Sequence, residues 1–183
     1  RYYALERESI TYMIHQLSSY TYTECMLVTA SGKIIYSMYD NEFIGRTIAD
    51  YPLSPLPELF ATAKTGTVDV NGVAVFPAST GKHGILFAMP ITRNNTVEGV
   101  IIASVKAQEL AGSIPRGSRT IDTAGVFSYH PDTALILTRD PLFLPAQMTR
   151  ESATPVRSDG YIYYPFSYRR LSWYLAVESG AVR

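Results

Sequence analysis

Residues 84–106 read GILFAMPITRNNTVEGVIIASVK and contain the longest apolar runs of the chain. The longest runs, Ile85–Ile91 and Gly99–Val105, lie in the segments Gly84–Ile91 and Gly99–Lys106, which flank a polar turn at residues 93–95. Runs of this length, bounded by turn residues, are typical of strands, and they are far shorter than the roughly 18 apolar residues of a membrane-spanning helix. The stretch therefore predicts two long antiparallel strands of one sheet.

Residues upstream of this pair complete a first module. Apolar runs at Cys25–Val28 and Ile34–Tyr36 surround a Ser-Gly turn at residues 31–32, which is typical of a hairpin. A proline-rich loop then leads into a short helix near Glu58–Lys64, and a further strand follows at Val68–Phe76. Because one face of such a sheet must be covered, we expect this loop and helix, here called the excursion, to pack on it.

The pattern restarts after residues 111–118, where two glycines and a proline indicate a boundary. Ile121–Tyr129 repeats the order found in Val28–Tyr36, namely an apolar residue, a glycine turn and a strand that ends in tyrosine. Pro90 and Pro165 each stand at the end of a hydrophobic strand. We interpret these matches as a repeated module; chance similarity between short hairpins is the alternative.

The predicted division of the chain has three parts. An N-terminal helix occupies residues 1–21, a first module occupies 22–112 and a smaller second module occupies 113–183. The second module has room for one excursion, which we expect at Pro141–Arg157.

The N-terminal helix is predicted from apolar side chains at helical spacing. It has no convincing N-cap, because its pattern begins at the first residue. Two interpretations stay open: a packed amphipathic helix, or the end of a longer helix that arrives from elsewhere. Since the chain starts without methionine, we expect it to be a fragment or a processed product. The apolar positions are Tyr3, Ile10, Met13, Ile14 and Leu17.

The composition argues against a nucleic-acid-binding protein and against a disordered chain. Among 183 residues, 16 Lys and Arg balance 16 Asp and Glu, which argues against a polybasic nucleic-acid surface. The hydrophobic fraction of 46% argues against disorder. Charged residues make up only 17%, and 14 tyrosines supply part of the missing polarity. We expect the aromatic residues of the second module to cover its sheet.

The sequence contains no local catalytic or metal-binding signature. His15, His83 and His130 lie apart and outside any Cys/His spacing that binds zinc. Cys25 lies in an apolar run, where a buried thiol behaves as a small hydrophobic group. We therefore expect no enzymatic activity, no cofactor and no metal. The alternative is an enzyme whose site places His83 or His130 beside a distant carboxylate.

Two stretches carry a resemblance to a known family. One is LVTASGKIIY at residues 27–36, followed by FIGRT at 43–47. The other joins VFPAST at 75–80, ILFAMPI at 85–91 and VEGVII at 97–102. These stretches resemble the Cache domains, which are PAS-like extracytoplasmic sensors of bacterial transmembrane receptors. The shorter repeat is similar to the membrane-proximal module of a double Cache (PDC) sensor.

The resemblance implies an α+β fold, in which a long N-terminal helix precedes two PAS-like modules, each an antiparallel sheet with covering helices or loops. It implies the ligand-sensing part of a signal-transduction receptor: a sensor histidine kinase of a two-component system, a chemoreceptor or a cyclase. Such a part is periplasmic, is joined to the inner membrane by flanking transmembrane helices absent from this chain, and forms a homodimer in the receptor. The alternative is a ligand-free interaction module that senses a partner protein.

The resemblance further implies a small-molecule pocket between the first sheet and its excursion. Amino-acid-binding members carry an arginine and a tryptophan shortly before an aromatic residue in the first module. The only tryptophan here is Trp173 in the second module, so amino-acid ligands are not supported and carboxylates or other small metabolites stay open. A pocket of this kind needs apolar walls and a few polar groups. The expected ligand-binding residues are Arg46, Asp50, Tyr51, Phe76, Ser79, Phe87 and Met89.

Overall fold

The chain forms two compact units, residues 1–106 and 107–183, in a computed structural model. The predicted module boundary between residues 112 and 113 stays a prediction. The predicted N-terminal helix lies outside the described residues, except that Glu8 and Tyr12 are helical. Phe76 and Ser79 also lie outside them. The structure describes Glu8, Tyr12 and residues 22–75, 83–106, 114–143, 154–168 and 171–180.

The first unit contains a five-stranded antiparallel sheet. Its strands are β1 (Tyr22–Thr29), β2 (Ile34–Ser37), β3 (Asp69–Val75), β4 (His83–Arg93) and β5 (Thr96–Lys106). Their order across the sheet is β2-β1-β5-β4-β3. The predicted pair of long strands is confirmed as β4 and β5. Asn94 and Asn95 join them with φ angles of 50° and 62°, as a type I′ hairpin turn requires.

The excursion joins β2 to β3. It contains two short 3-10 turns, Asn41–Phe43 and Ile48–Asp50, and the helix α1 (Leu56–Lys64). The helix begins before the predicted start because Pro57 is accommodated in its first turn. Gly66 follows its end with a φ of 90°, which is typical of a helix C-terminus.

The excursion covers one face of the first sheet with an apolar core. Leu86 and Ala88 of β4 lie in one hydrophobic cluster with Leu56 and Leu59 of α1, and all four side chains are 0% exposed. Burial of each leucine contributes roughly 1.5–3 kcal/mol, so this cluster holds the excursion on the sheet. Its other buried members are Met26, Val28, Ile34, Phe43, Ile48, Ala63, Val100 and Ile102.

The second unit repeats this arrangement. Its strands are β6 (Arg119–Asp122), β7 (Phe127–Tyr129), β8 (Val156–Ser158), β9 (Tyr161–Tyr168) and β10 (Leu171–Glu178). They form an antiparallel sheet in the order β7-β6-β10-β9-β8. Strand by strand, this is the order of the first sheet, because β6 to β10 take the places of β1 to β5.

The pairing of the strands confirms the predicted repeat at the level of single residues. Ile121 pairs with Phe127 as Val28 pairs with Ile34. The N–H groups of Phe127 and Ile34 then each donate to a carbonyl of the following excursion, at 2.9 and 2.8 Å. Pro165 opposite Tyr174 likewise matches Pro90 opposite Val100.

The second excursion differs from its predicted bounds of Pro141–Arg157. A 3-10 turn at Thr133–Leu135 already belongs to it, and Val156 and Arg157 form part of β8. The strand β8 has three residues and is too short to show the alternation that identifies longer strands, so the sequence pattern did not predict it. Among the described residues, no helix is long and apolar enough to cross a membrane.

Candidate functional site

Three of the predicted ligand-binding residues, Arg46, Asp50 and Tyr51, lie together in the first excursion. Backbone hydrogen bonds attach this segment to the hairpin of β1 and β2. Ile34 N–H donates to the Arg46 carbonyl and Ile48 N–H donates to the Gly32 carbonyl, both at 2.8 Å. A force on this segment therefore acts directly on the edge of the first sheet.

The Asp50 carboxylate is used within its own turn. Its Oδ2 accepts a hydrogen bond of 2.7 Å from the N–H of Thr47, the residue that begins the turn. Hydrogen bonds from the backbone and side chain of Thr47 lower the pKa of Asp50, and the positive charge of Arg46 lowers it further. Asp50 therefore stays ionised at neutral pH and stabilises the turn that carries Tyr51.

Arg46 and Tyr51 are the two predicted residues with groups available to a ligand at this surface. The Arg46 side chain is exposed, whereas Tyr51 is half-buried and packs on Phe43 with 5.2 Å between the ring centroids. Burial raises the pKa of Tyr51, although the nearby charge of Arg46 opposes this. A guanidinium beside a neutral phenol can bind a carboxylate or another small anion.

Phe87 and Met89 lie on the other face of the first sheet. Their neighbours Leu86 and Ala88 face α1, and side chains alternate along a strand. Phe87 is 37% exposed and Met89 is 49% exposed. The structure therefore brings Arg46, Asp50 and Tyr51 together but does not bring Phe87 or Met89 to them.

Glu24 is an organising residue that the sequence interpretation missed. It lies in β1 and is 0% exposed. Its Oε1 accepts hydrogen bonds from the N–H groups of Cys25 at 2.8 Å, Met38 at 2.7 Å and Tyr39 at 3.4 Å. Its Oε2 accepts a bond of 3.2 Å from Asp40 N–H. One buried carboxylate therefore ties the start of the excursion to the sheet.

Two opposing effects act on the pKa of Glu24. Burial raises the pKa, and the backbone hydrogen bonds from Cys25, Met38 and Tyr39 oppose the rise without cancelling it. The sequence feature that could have pointed to this role is a single acidic residue inside an otherwise mostly apolar strand, YTECMLVT. Such a residue must find donors when it is buried, but the pattern does not say where they are.

The other residues considered for chemistry have local roles where the structure describes them. His130 Nδ1 accepts a hydrogen bond of 3.0 Å from Asp132 N–H, and its ring lies 4.8 Å from that of Phe127. Burial raises the pKa of the Cys25 thiol to about 12, so the thiol is protonated at neutral pH. Within the described part of the chain, no group of three or more His, Cys, Asp or Glu side chains is placed to hold a metal ion.

Solved structures of bacterial sensor domains share this two-sheet fold. The ligand-binding domain of the Pseudomonas aeruginosa PAO1 amino acid chemoreceptor PctC, in complex with GABA, matches with a TM-score of 0.57 and 20% identity, over 85% of this chain and 72% of that one. The sensor domain of the V. cholerae histidine kinase DctB matches with a TM-score of 0.62 and 15% identity, over 97% and 79%. The fold is that of Cache-type sensor domains. Neither family models nor curated proteins give a match to the chain.

A third solved structure extends the likeness to another receptor. The ligand-binding domain of the Pseudomonas fluorescens chemoreceptor CtaA, in complex with L-alanine, matches with a TM-score of 0.57 and 21% identity. The match covers 88% of this chain and 75% of that one. At such identities the likeness concerns the fold, and ligand chemistry must be argued from this chain's own residues.

Proposed function

We propose that the chain is the extracytoplasmic ligand-sensing domain of a membrane-bound signal-transduction receptor. The observation that carries the proposal is the pair of sheets with equivalent strand order, each with an excursion between its second and third strands. This is the fold of solved sensor domains of chemoreceptors and a histidine kinase. In the receptor, the domain is periplasmic, is attached to the inner membrane by flanking helices and forms a homodimer.

The proposed ligand is a small molecule with an anionic group, and Arg46 and Tyr51 bind that group. Arg46 is the exposed cation of the excursion, and Asp50 holds the turn that positions Tyr51. Movement of this segment passes to β2 through the hydrogen bond between Arg46 and Ile34. A ligand can shift the receptor only by its differential affinity for two arrangements, typically about 1–3 kcal/mol.

Thermal denaturation with a panel of amino acids, GABA and dicarboxylates tests the proposal. A ligand at about 100 times its dissociation constant adds about 2.7 kcal/mol of stability and raises Tm. Arg46→Ala should weaken binding of that ligand at least roughly tenfold, because a charge-assisted hydrogen bond is lost. Arg116→Ala, an exposed arginine of the second unit, is the matched control. A panel without any shift, or equal losses in both variants, contradicts the proposal.

A ligand-free interaction module is the second candidate. The observation that favours it is the apolar filling between the first sheet and α1, where the clustered side chains are buried against one another. If no small molecule binds and the receptor instead responds to a partner protein, this candidate replaces the first.

A further inference from the structure

The first segment of each excursion lies along its sheet in the same way. We call these segments strap 1 (residues 40–51) and strap 2 (residues 132–143). Each strap begins with an aspartate whose carboxylate caps a 3-10 turn, Asp40 in strap 1 and Asp132 in strap 2. Strap 2 follows strap 1 residue by residue, without insertion or deletion, so the two can be compared position by position.

Backbone hydrogen bonds attach the two straps to their sheets in the same pattern. The distances between donor and acceptor lie between 2.8 and 2.9 Å in both units. The backbone therefore attaches both straps equally well, and differences in attachment come from side chains and backbone strain. The N–H donors are Gly45, Ile34 and Ile48 in the first unit and Leu137, Phe127 and Asp140 in the second.

The side chains that anchor the two straps differ in kind. Ile48 of strap 1 is 4% exposed and lies in the apolar cluster that contains Met26 of β1. In the second unit, Asp140 takes the place of Ile48, and Arg119 of β6 takes the place of Met26. Asp140 Oδ2 lies 3.1 Å from Arg119 Nη2, and its side chain is 0% exposed. A buried ion pair therefore anchors strap 2 where apolar contacts anchor strap 1.

The ion pair lowers the cost of opening strap 2. If strap 1 left its sheet, the Ile48 side chain would be exposed to water, which is unfavourable. If strap 2 left its sheet, water would solvate both Arg119 and Asp140 and restore the hydration that burial removed. A buried ion pair contributes little net stability for this reason, although loss of one partner within the closed structure is costly.

Strap 2 also contains a strained residue. Leu137 has a φ of 66°, in the left-handed region that is unfavourable for a residue with a Cβ. The equivalent residue of strap 1 is Gly45, whose φ of 86° is accessible to glycine without strain. Opening of strap 2 would release the strain at Leu137. Strained backbone of this kind is concentrated in segments that change conformation.

The beginning of strap 2 has a weaker apolar anchor than the beginning of strap 1. Phe43 of strap 1 is 7% exposed and lies in the first core, whereas the equivalent Leu135 is 38% exposed. Further along strap 2, Ile136 and Phe143 are buried. Strap 2 is therefore closed in this structure, but its start contributes less apolar burial than the start of strap 1.

We propose that strap 2 is a detachable element, which opens from its sheet while the rest of the second unit stays folded, and does so more readily than strap 1. The ion pair of Arg119 and Asp140 holds the closed position, and the strain at Leu137 favours the open one. The second unit then has two arrangements, whose populations a binding event can shift. This property does not depend on a ligand at Arg46.

Hydrogen exchange of the full chain, followed by NMR, tests the proposal. Protection is corrected for the intrinsic exchange rate of each amide. The three N–H donors that attach strap 2 should exchange at least roughly tenfold faster than the equivalent donors that attach strap 1. Amides of the central strand β10 should exchange more slowly than those of strap 2, because the sheet stays folded while the strap opens.

Three variants test the cause. R119M/D140I gives the second unit the apolar pair of the first and should slow exchange of strap 2 at least roughly tenfold. The matched control R157M/D159N removes the same two charges from exposed residues of the same unit and should leave exchange unchanged. Gly45→Leu brings the strain into strap 1 and should speed its exchange roughly tenfold, since the new Cβ would meet no atom within 4 Å.

Four outcomes would overturn the proposal. One is that strap 2 exchanges no faster than strap 1, and another is that β10 exchanges as fast as strap 2, since the second unit would then open as a whole. The others are that R119M/D140I exchanges like the original chain, or that the control slows exchange equally. If R119M/D140I does not fold, the original chain and Gly45→Leu still decide. A missing thermal shift with ligands would count against the site at Arg46 alone.

Discussion

Asp140→Asn removes one charge from the interior of the second unit and leaves the shape of the side chain unchanged. Asp140 Oδ1 accepts a hydrogen bond of 2.9 Å from Leu142 N–H, and the asparagine oxygen can keep that bond. The atom that changes is Oδ2, which faces Arg119 at 3.1 Å. The substitution therefore isolates the charge pair.

The expected loss in the free energy of unfolding is about 3 kcal/mol. Removal of one partner of a buried ion pair costs about 3–5 kcal/mol, because the other charge stays buried without a counterion. The lower limit of this energy range applies because Arg119 keeps its contact with the Tyr161 ring at 3.9 Å. For a domain of this size, about 3 kcal/mol lowers Tm by roughly 12 °C or more.

The double variant R119M/D140N tests the physical reason. With both charges removed and methionine in place of the arginine stem, unfolding free energy should return to within about 1 kcal/mol of the original chain. Asp159→Asn is the matched control. Asp159 is exposed and has a φ of 45°, which asparagine tolerates, so the change should stay within about 0.5 kcal/mol.

Tryptophan fluorescence during urea unfolding reports on the second unit alone, because the chain has 1 tryptophan, Trp173 of β10. The reasoning is refuted if Asp140→Asn costs less than about 1 kcal/mol. It is also refuted if the double variant is as unstable as the single one, since the loss would then not arise from an unpaired charge.

Three further predictions concern the first unit. Glu24→Ala should lower its stability by about 3 kcal/mol or more in thermal unfolding, because buried N–H groups lose their acceptor; a loss below about 1 kcal/mol would contradict this. Gly99→Ala should lower the free energy of unfolding by about 1–3 kcal/mol, because a Cβ would lie 2.7 Å from the Val28 carbonyl oxygen. The control Gly180→Ala, whose Cβ would meet no atom within 4 Å, should leave that energy unchanged. Cys25, with its pKa raised to about 12, should resist iodoacetamide at pH 8 until the chain is unfolded; rapid labelling of the folded chain would refute its burial.

The elements that sequence reasoning predicted depend on neighbours in the chain. The turn at Asn94 and Asn95 needs two residues that accept positive φ, and asparagine does. The helix α1 is identified by local start and stop signals, namely the proline in its first turn and Gly66 after its end. The repeat could be predicted because equivalent strands of the two sheets share apolar residues, glycine turns and a proline at the same places.

The candidate sites depend on contacts between distant residues, which local patterns do not contain. Arg46 and Tyr51 lie in one segment because they are close in the sequence, whereas the face that Phe87 occupies follows from where α1 packs. Glu24 was recognisable only as an acidic residue in an apolar strand, and three of its four backbone donors lie 14 to 16 residues away in the sequence.

The sequence by itself determined the longer strands, their turns and the repetition of a similar module, though not the three-residue strand β8, because alternation and turn chemistry act over a few residues. Only the tertiary structure decided which side chains meet. Arg119 and Asp140 come from different segments of the second unit, and Tyr163 reaches them through the pairing of β6, β10 and β9. Such contacts depend on the pairing of distant strands. Local sequence patterns therefore do not reveal that the second unit has a buried charge pair where the first has an apolar core.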